Sequence, residues 1–149
     1  MSTVFIDADA CPVKKEACRV AARHGVAVKI VANSPMAVPE GRVELVVVGD
    51  GFDAADDWIV ENAGPGDVVV SDDIPLAARC LKKGARVVGT RGREFTEEAI
   101  GDALATREVL SQLRDQGLVG GGPAPFGPKD RSRFLDRLDT LLRAVLRSA

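Results

Sequence analysis

Three segments of the chain place aspartates directly after runs of β-branched residues. VFIDADACP carries Asp7 and Asp9, VVVGDGFDAADD carries Asp50, Asp53, Asp56 and Asp57, and VVVSDDIP carries Asp72 and Asp73. If the three runs are parallel strands of one sheet, these carboxylates converge on one rim, where they raise one another's pKa and oppose folding. A bound cation offsets that cost. Oxygen donors alone, without enough histidine or cysteine nearby, select Mg²⁺ or Mn²⁺ rather than zinc. An ion of that kind activates water and stabilises the charge on an attacked phosphate, which is the chemistry of phosphodiester hydrolysis. The competing role is local, because aspartate is also a favoured helix N-cap. Asp53 could cap the helix that follows it, with Asp56 in the first turn, and Asp73 could cap the next. Asp7 and Asp9 are harder to explain in that way. The residue ending a buried strand and its neighbour two along point to the same side, and a buried carboxylate without a partner is costly.

The elements that must position these residues follow from hydrophobic periodicity. Residues 2–6, 27–31, 45–48, 68–70 and 87–88 read as strands, mostly continuous Val/Ile runs of the kind buried on both faces. Residues 13–24, 53–62 and 74–83 show helical spacing, and Gly25, Gly64 and Gly84 stand where those helices stop. The 33–43 stretch, with two prolines and a glycine, reads as a loop. Two more helices are expected over 96–116 and 130–147, the last with an apolar stripe at Phe134, Leu138, Leu141, Leu142 and Val145. The Gly/Pro-rich run over 117–129 reads as a surface loop within one domain, since a lone helix after it could not bury its own apolar face. The alternation implies an α/β fold over residues 1–149, a mostly parallel five-stranded sheet with helices on both faces, whose ligands bind at the strand carboxyl ends.

Length and composition agree with one ordinary globular domain: 149 residues, 46% hydrophobic and 28% charged. Cys11, Cys18 and Cys80 are odd in number without C-x-x-C spacing, and one histidine, His24, cannot complete a zinc set. No apolar run approaches the roughly 18 residues of a membrane span. The amino terminus lacks a basic stretch followed by an apolar one, so a cytoplasmic location without membrane contact is expected. The net charge of −2 hides an asymmetry. Residues 1–78 hold 6 Lys/Arg against 13 Asp/Glu, a balance of −7, and residues 79–149 hold 14 against 9, a balance of +5. Chance drift of surface charge is one reading, and an acidic site beside a basic surface is the other.

Arg91, Arg93, Lys129, Arg131 and Arg133 are the phosphate-binding candidates, because Arg91 and Arg93 follow the fifth strand and would stand near the acidic rim. Solvated surface charge is the alternative. Phe126 could stack on a base or pin its loop to the core. Cys11, with Pro12 beside it at the expected start of a helix, reads as a packed thiol rather than a nucleophile, since its neighbouring carboxylates oppose ionisation. His24 reads as a residue at a helix C-terminus and Trp58 as core.

Several stretches together carry a family resemblance: DADACP at 7–12, VAN at 31–33, GFDAAD at 51–56, GDVVVSDDIPLA at 66–77, RGREFTEEAI at 91–100, GGP at 121–123 and DRSRF at 130–134. The chain resembles the YaiI/YqxD family of bacterial proteins nearly end to end. That resemblance implies a PIN-like fold, a grouping that contains many metal-dependent ribonucleases, with RNA as a possible partner. It assigns the site to Asp7, Asp9, Asp53, Asp56 and Asp73 and ranks Asp50, Asp57 and Asp72 lower; in the nuclease reading Asp7, Asp9 and Asp73, with Asp53 or Asp56, would hold one or two metals. Phe95 departs from the pattern, which often has tyrosine there. The D-A-D after the first strand departs from typical PIN nucleases, which have one aspartate. Two other readings stand beside the metal-dependent ribonuclease. One is a non-catalytic metal- or nucleic-acid-binding regulatory module. The other is a haloacid-dehalogenase-type phosphatase, which needs a strand-end lysine and a cap insertion. Lys29 lies inside a strand, and no cap fits in 149 residues.

Overall fold

A computed structural model describes residues 2–9, 11–51, 53–101 and 125–148. Strands and helices alternate: β1 (Thr3–Asp7), α1 (Lys14–Arg23), β2 (Ala27–Ala32), β3 (Val43–Val47), α2 (Ala54–Asn62), β4 (Val68–Val70), α3 (Ile74–Lys82), β5 (Arg86–Val88) and β6 (Glu94–Phe95). Residues 97–101 begin a helix, α4. The last helix, α5, spans Pro128–Ser148. The rest of the helix expected over 96–116, and most of the expected loop over 117–129, lie outside the described residues.

The sheet has the order β3-β2-β1-β4-β5-β6. Every ladder is parallel except the antiparallel pair of β5 and β6. The α/β class and the mostly parallel sheet are as expected, and among the described residues the strand count is six rather than five. A two-residue strand carries no periodicity, and β6 exists because of its turn. Gly92 takes φ +88, and a Cβ there would stand 2.5 Å from the carbonyl carbon of Arg133 in α5. The Arg86 guanidinium donates to Glu94 at 2.8 Å across the pair.

Helices cover both faces because alternate strand residues are apolar in both directions. On one face Val4, Ile6, Val28, Ile30, Val68 and Val70 pack with α1 and α5. On the other, Phe5, Val31, Val69 and Val87 pack with α2 and α3. The stripe expected on the last helix is the buried face of α5. That helix starts at Pro128, two residues earlier than expected. Proline suits the first helical position, and the Asp130 carboxylate reaches back to accept from the Gly127 N–H at 3.0 Å. The same helix is pinned to the end of α1, where His24 and Asp139 meet at 2.6 Å.

The connection from β2 to β3 has no helix. Adjacent parallel strands normally need a helical crossover, yet an extended chain of ten residues reaches about 33 Å. Residues 33–42, held open by Pro35 and Pro39, make the return in that way, with Val38 packed against the α1 face. From β3 the chain passes through α2 to β4 on the far side of β1. The connections out of β1 and β4 therefore lead to opposite sides, and a crevice opens between them at their carboxyl ends. Among the described residues no helix is long and apolar enough to cross a membrane.

Because Leu138 is fully buried between α5 and the sheet, Leu138→Ala should cost about 2–5 kcal/mol of unfolding free energy. A urea titration followed by circular dichroism reads the change. A loss below that range would mean that α5 is not part of the cooperative core.

Candidate active site at the strand carboxyl ends

β1 ends on Asp7, and the DAD run carries Asp9 two residues further. The turn after β4 carries Ser71, Asp72 and Asp73. β3 leads through Gly49 to Asp50, and α2 opens with Asp53 and Asp56. Six of these aspartates, Asp7, Asp9, Asp50, Asp53, Asp56 and Asp73, line one open cleft of about 630 Å³. The five residues assigned to the site by resemblance are thus all brought together. Asp50, ranked lower, joins them; Asp57 does not, and Asp72 lines only a smaller recess that it shares with Asp7, Asp9 and Asp73. Asp57 is paired with Arg79 at 2.9 Å between α2 and α3. Asp72 accepts from the Thr90 N–H at 2.8 Å and from the Thr90 hydroxyl. The first contact has room only because residue 89 is glycine, where a Cβ would stand 2.8 Å from Asp72 Oδ1, the oxygen that takes the N–H. Asp72 is a brace from the end of β4 to the end of β5.

Ser71 joins the two central strands. It is buried, its hydroxyl donates to Asp7 Oδ2 at 3.2 Å, and the Asp73 N–H donates to its oxygen at 3.0 Å. Asp73 caps α3 as expected, accepting from the Leu76 N–H at 3.0 Å. Asp53 does not cap α2. It holds the N-cap position with φ 63 and no side-chain bond to the helix. A non-glycine residue in the left-handed region costs of order 1 kcal/mol or more, and such residues gather at functional sites.

The fields in the cleft show how closely the acids have been brought together. Burial first, then the carboxylates of Asp73, Asp7 and Asp53, push the Asp56 carboxyl from 3.8 up to about 6, against a smaller opposing pull from Arg79. Burial also raises Asp7, helped by Asp73 and Asp9 and resisted by the hydrogen bonds from Ser71 and the Asp9 backbone. Crowding of this kind is what a cation would relieve. The donors are all oxygen, as a hard divalent ion requires. Among the described residues no three acidic, histidine or cysteine side chains stand ready around one point. An ion here would therefore be held in part through waters of its own shell, the usual habit of Mg²⁺.

Asn33, Ser34 and Met36 also line the cleft and had not been picked out individually. The signal was present in the polar end of VAN, directly after a buried strand. A smaller recess of about 200 Å³ continues from Asp7, Asp9 and Asp73 to Cys11, Ser71, Asp72 and Thr90. The α1 helix begins at Lys14 rather than at Pro12, so Cys11 lies in the preceding turn. Burial pushes its thiol up to about 11, which leaves it a packed thiol. Lys14 holds that turn by donating to the carbonyls of Cys11 at 2.8 Å and Ala8 at 3.5 Å.

The cationic candidates stand beside the cleft rather than in its lining. Arg91 pairs with Asp130 at 3.0 Å, Arg131 with Glu16 at 3.6 Å and Arg133 with Asp130 at 3.5 Å. The Arg91 and Arg131 guanidiniums lie 5.7 and 5.5 Å from the centre of the Phe126 ring, and that ring packs on the core. Arg93 lies over Phe95, and Lys129 is exposed. Trp58 is half-buried against Phe5. The Lys29 ammonium rests over Trp58 at 5.8 Å, away from the strand ends where a phosphatase of the dehalogenase type would need it.

The model of a family described as "Uncharacterized BCR, YaiI/YqxD family" matches residues 5–144 of the chain. A UPF0178 protein of Rhodospirillum rubrum is 56% identical over 146 residues, 97% of each chain. One of Rhodospirillum centenum is 56% identical over 152 residues, 99% of each. One of Brucella ovis is 55% identical over 147 residues, 97% of this chain and 91% of that protein. No solved structure matches the chain.

Asp56 allows a test of the crowding. With its pKa at about 6 when folded against 3.8 when unfolded, the folded state holds the proton more tightly, so ionisation costs stability above pH 6 and costs nothing once both states are protonated. In chelated, metal-free buffer, Asp56→Asn should raise unfolding free energy near pH 7.5 by about 1 kcal/mol after solvent screening. The gain should fade as the pH drops toward 4. Equal stability of the two proteins across that range would show that the carboxylates do not repel.

Proposed function

The chain belongs to the YaiI/YqxD family, and from that footing we propose that its acidic cleft is the site of a divalent-metal-dependent phosphodiesterase, a ribonuclease using Mg²⁺ or Mn²⁺. The observation that carries this reading is the lining of one cleft at the strand carboxyl ends by six aspartates from segments far apart in sequence. Asp7, Asp9 and Asp73 would hold the ion, which supplies positive charge at the phosphate and acidifies a bound water.

The remaining roles fall to the protein's own side chains. Ser71 orients the Asp7 carboxylate toward the cleft. Asp56, near 6, is poised to take a proton from an attacking water or return one to the leaving oxygen close to neutral pH. Asp53 and Asp50 stand at the α2 side of the mouth. Arg91, Arg93, Lys129 and Arg131 would position the RNA backbone. Their support is their place on the same rim, after β5 and at the start of α5, in the basic half of the chain. A phosphate would share Arg91 and Arg131 with Asp130 and Glu16.

One observation favours a second reading. No three ligands stand ready for an ion among the described residues, and Asp73 already serves as a helix cap. A cleft of that kind can bind a cation without turnover, as a regulatory module would.

With Mn²⁺ present, the protein should cleave single-stranded or structured RNA, and the Asp7→Asn/Asp73→Asn double variant should lose at least about a hundredfold of that rate. Cleavage undiminished in the double variant rejects the nuclease. A rise in Tm on adding Mn²⁺, with no hydrolysis of any nucleic acid, selects the binding module instead.

A further inference from the structure

The extended connection between β2 and β3 walls two concavities. Its first residues face the acidic cleft. Its later ones, Ala37 to Glu40, form a separate groove of about 520 Å³ against α1. The groove has an apolar floor, built from Cys18 and Ala22 of α1, Ile30 of β2 and Val38. Burial raises the Cys18 thiol, so the floor carries no charge at neutral pH.

The lip is cationic. Lys14, Lys15 and Arg19 border the groove, against one carboxylate, Glu40. Among the described residues neither Lys15 nor Arg19 has an ion-pair partner. They stand four residues apart on α1, a spacing at which like charges destabilise a helix unless an anion lies between them. Seven arginines, Arg79, Arg86, Arg91, Arg131, Arg133, Arg137 and Arg143, have carboxylate ion-pair partners, whereas Arg19, like Arg23, Arg42, Arg93 and Arg147, has none among the described residues.

We propose that this groove binds a single amphiphilic anion, with the apolar body on the Cys18–Ala22–Val38 floor and a carboxylate or phosphate head between Lys15 and Arg19. Charge decides the occupant's sign. The volume suits a small molecule, within the range of about 300–1,000 Å³ common to ligand pockets. The site is independent of the chemistry assigned to the acidic cleft, and neither reading stands or falls with the other.

Isothermal titration of the full chain with dodecanoate, kept below its micelle concentration, tests the site. Saturable one-to-one binding is expected, with dodecyltrimethylammonium at least about tenfold weaker because it reverses the head charge. Lys15→Glu/Arg19→Glu should weaken dodecanoate by at least about tenfold. Ala22→Phe, at an exposed position, should abolish binding by filling the floor, and it carries the test if the double reversal fails to fold by circular dichroism. The proposal is overturned if dodecanoate does not saturate, if both variants bind it like the wild type, or if the cationic amphiphile binds equally. Sedimentation with phosphatidylglycerol vesicles, in the absence of monomer binding, would assign the cationic lip to a membrane surface and would also reject the groove.

Discussion

The hydrogen bond from the Ser71 hydroxyl to Asp7 spans the seam between β1 and β4, and the rim is organised around it. Asp7 ends a central strand, paired with Val31 of β2, and its carboxylate is partly buried at the strand end. A buried carboxylate needs donors. It finds one in Ser71 and another in the Asp9 backbone. Because Ser71 also accepts from the Asp73 backbone, the same hydroxyl sets the entry to α3 and hence the place of the Asp73 carboxylate. A serine whose side chain would otherwise be an ordinary buried polar group links Asp7 and Asp73 across the crevice.

Topology supplies the rest of the crowding. In the order β3-β2-β1-β4-β5-β6, the chain reverses its direction of progress across the sheet between β1 and β4, so no connection covers the crevice there. Carboxylates delivered by β1, β3, α2 and β4 face the same open space. Like charges are tolerated there because water still reaches them, and the cost appears as protons held too tightly by Asp56 and Asp7. Of the described basic half, Arg79 opposes part of the charge at Asp56. Arg91, Arg131 and Arg133 stand beside the cleft, around Phe126 and Asp130, where Arg91 fastens the start of α5 to the segment after β5. Charge is thus segregated along one rim, acids at the switch point and bases at its flank.

The helix-free connection from β2 to β3 has a consequence on each side. A helix in that place would pack tightly on the α1 face and close the space beside α1. An extended, proline-bearing segment covers the sheet thinly and leaves room for the groove between Val38 and Cys18. Its polar start, Asn33 and Ser34, is left at the mouth of the acidic cleft.

Much of this arrangement was legible in the order of residues. Continuous Val/Ile runs ending in aspartate declared both-face-buried strands with acids at one end, and periodicity alone located α1, α2, α3 and the buried stripe of α5. What residue order left open was the role of each acid, because an aspartate at a strand end is equally suited to capping and to ligation. Tertiary structure separated them: Asp73 caps, Asp53 stands in a cap position without capping, Asp72 braces Thr90, Asp57 pairs with Arg79, and Asp50 turns out to face the cleft. It also decided that β6 exists, through a close approach to α5 that tolerates only glycine at position 92. The division has one physical reason. Burial patterns repeat with the local period of the backbone and so are written into adjacent residues, whereas a carboxylate's partner is chosen by which distant strand happens to lie beside it.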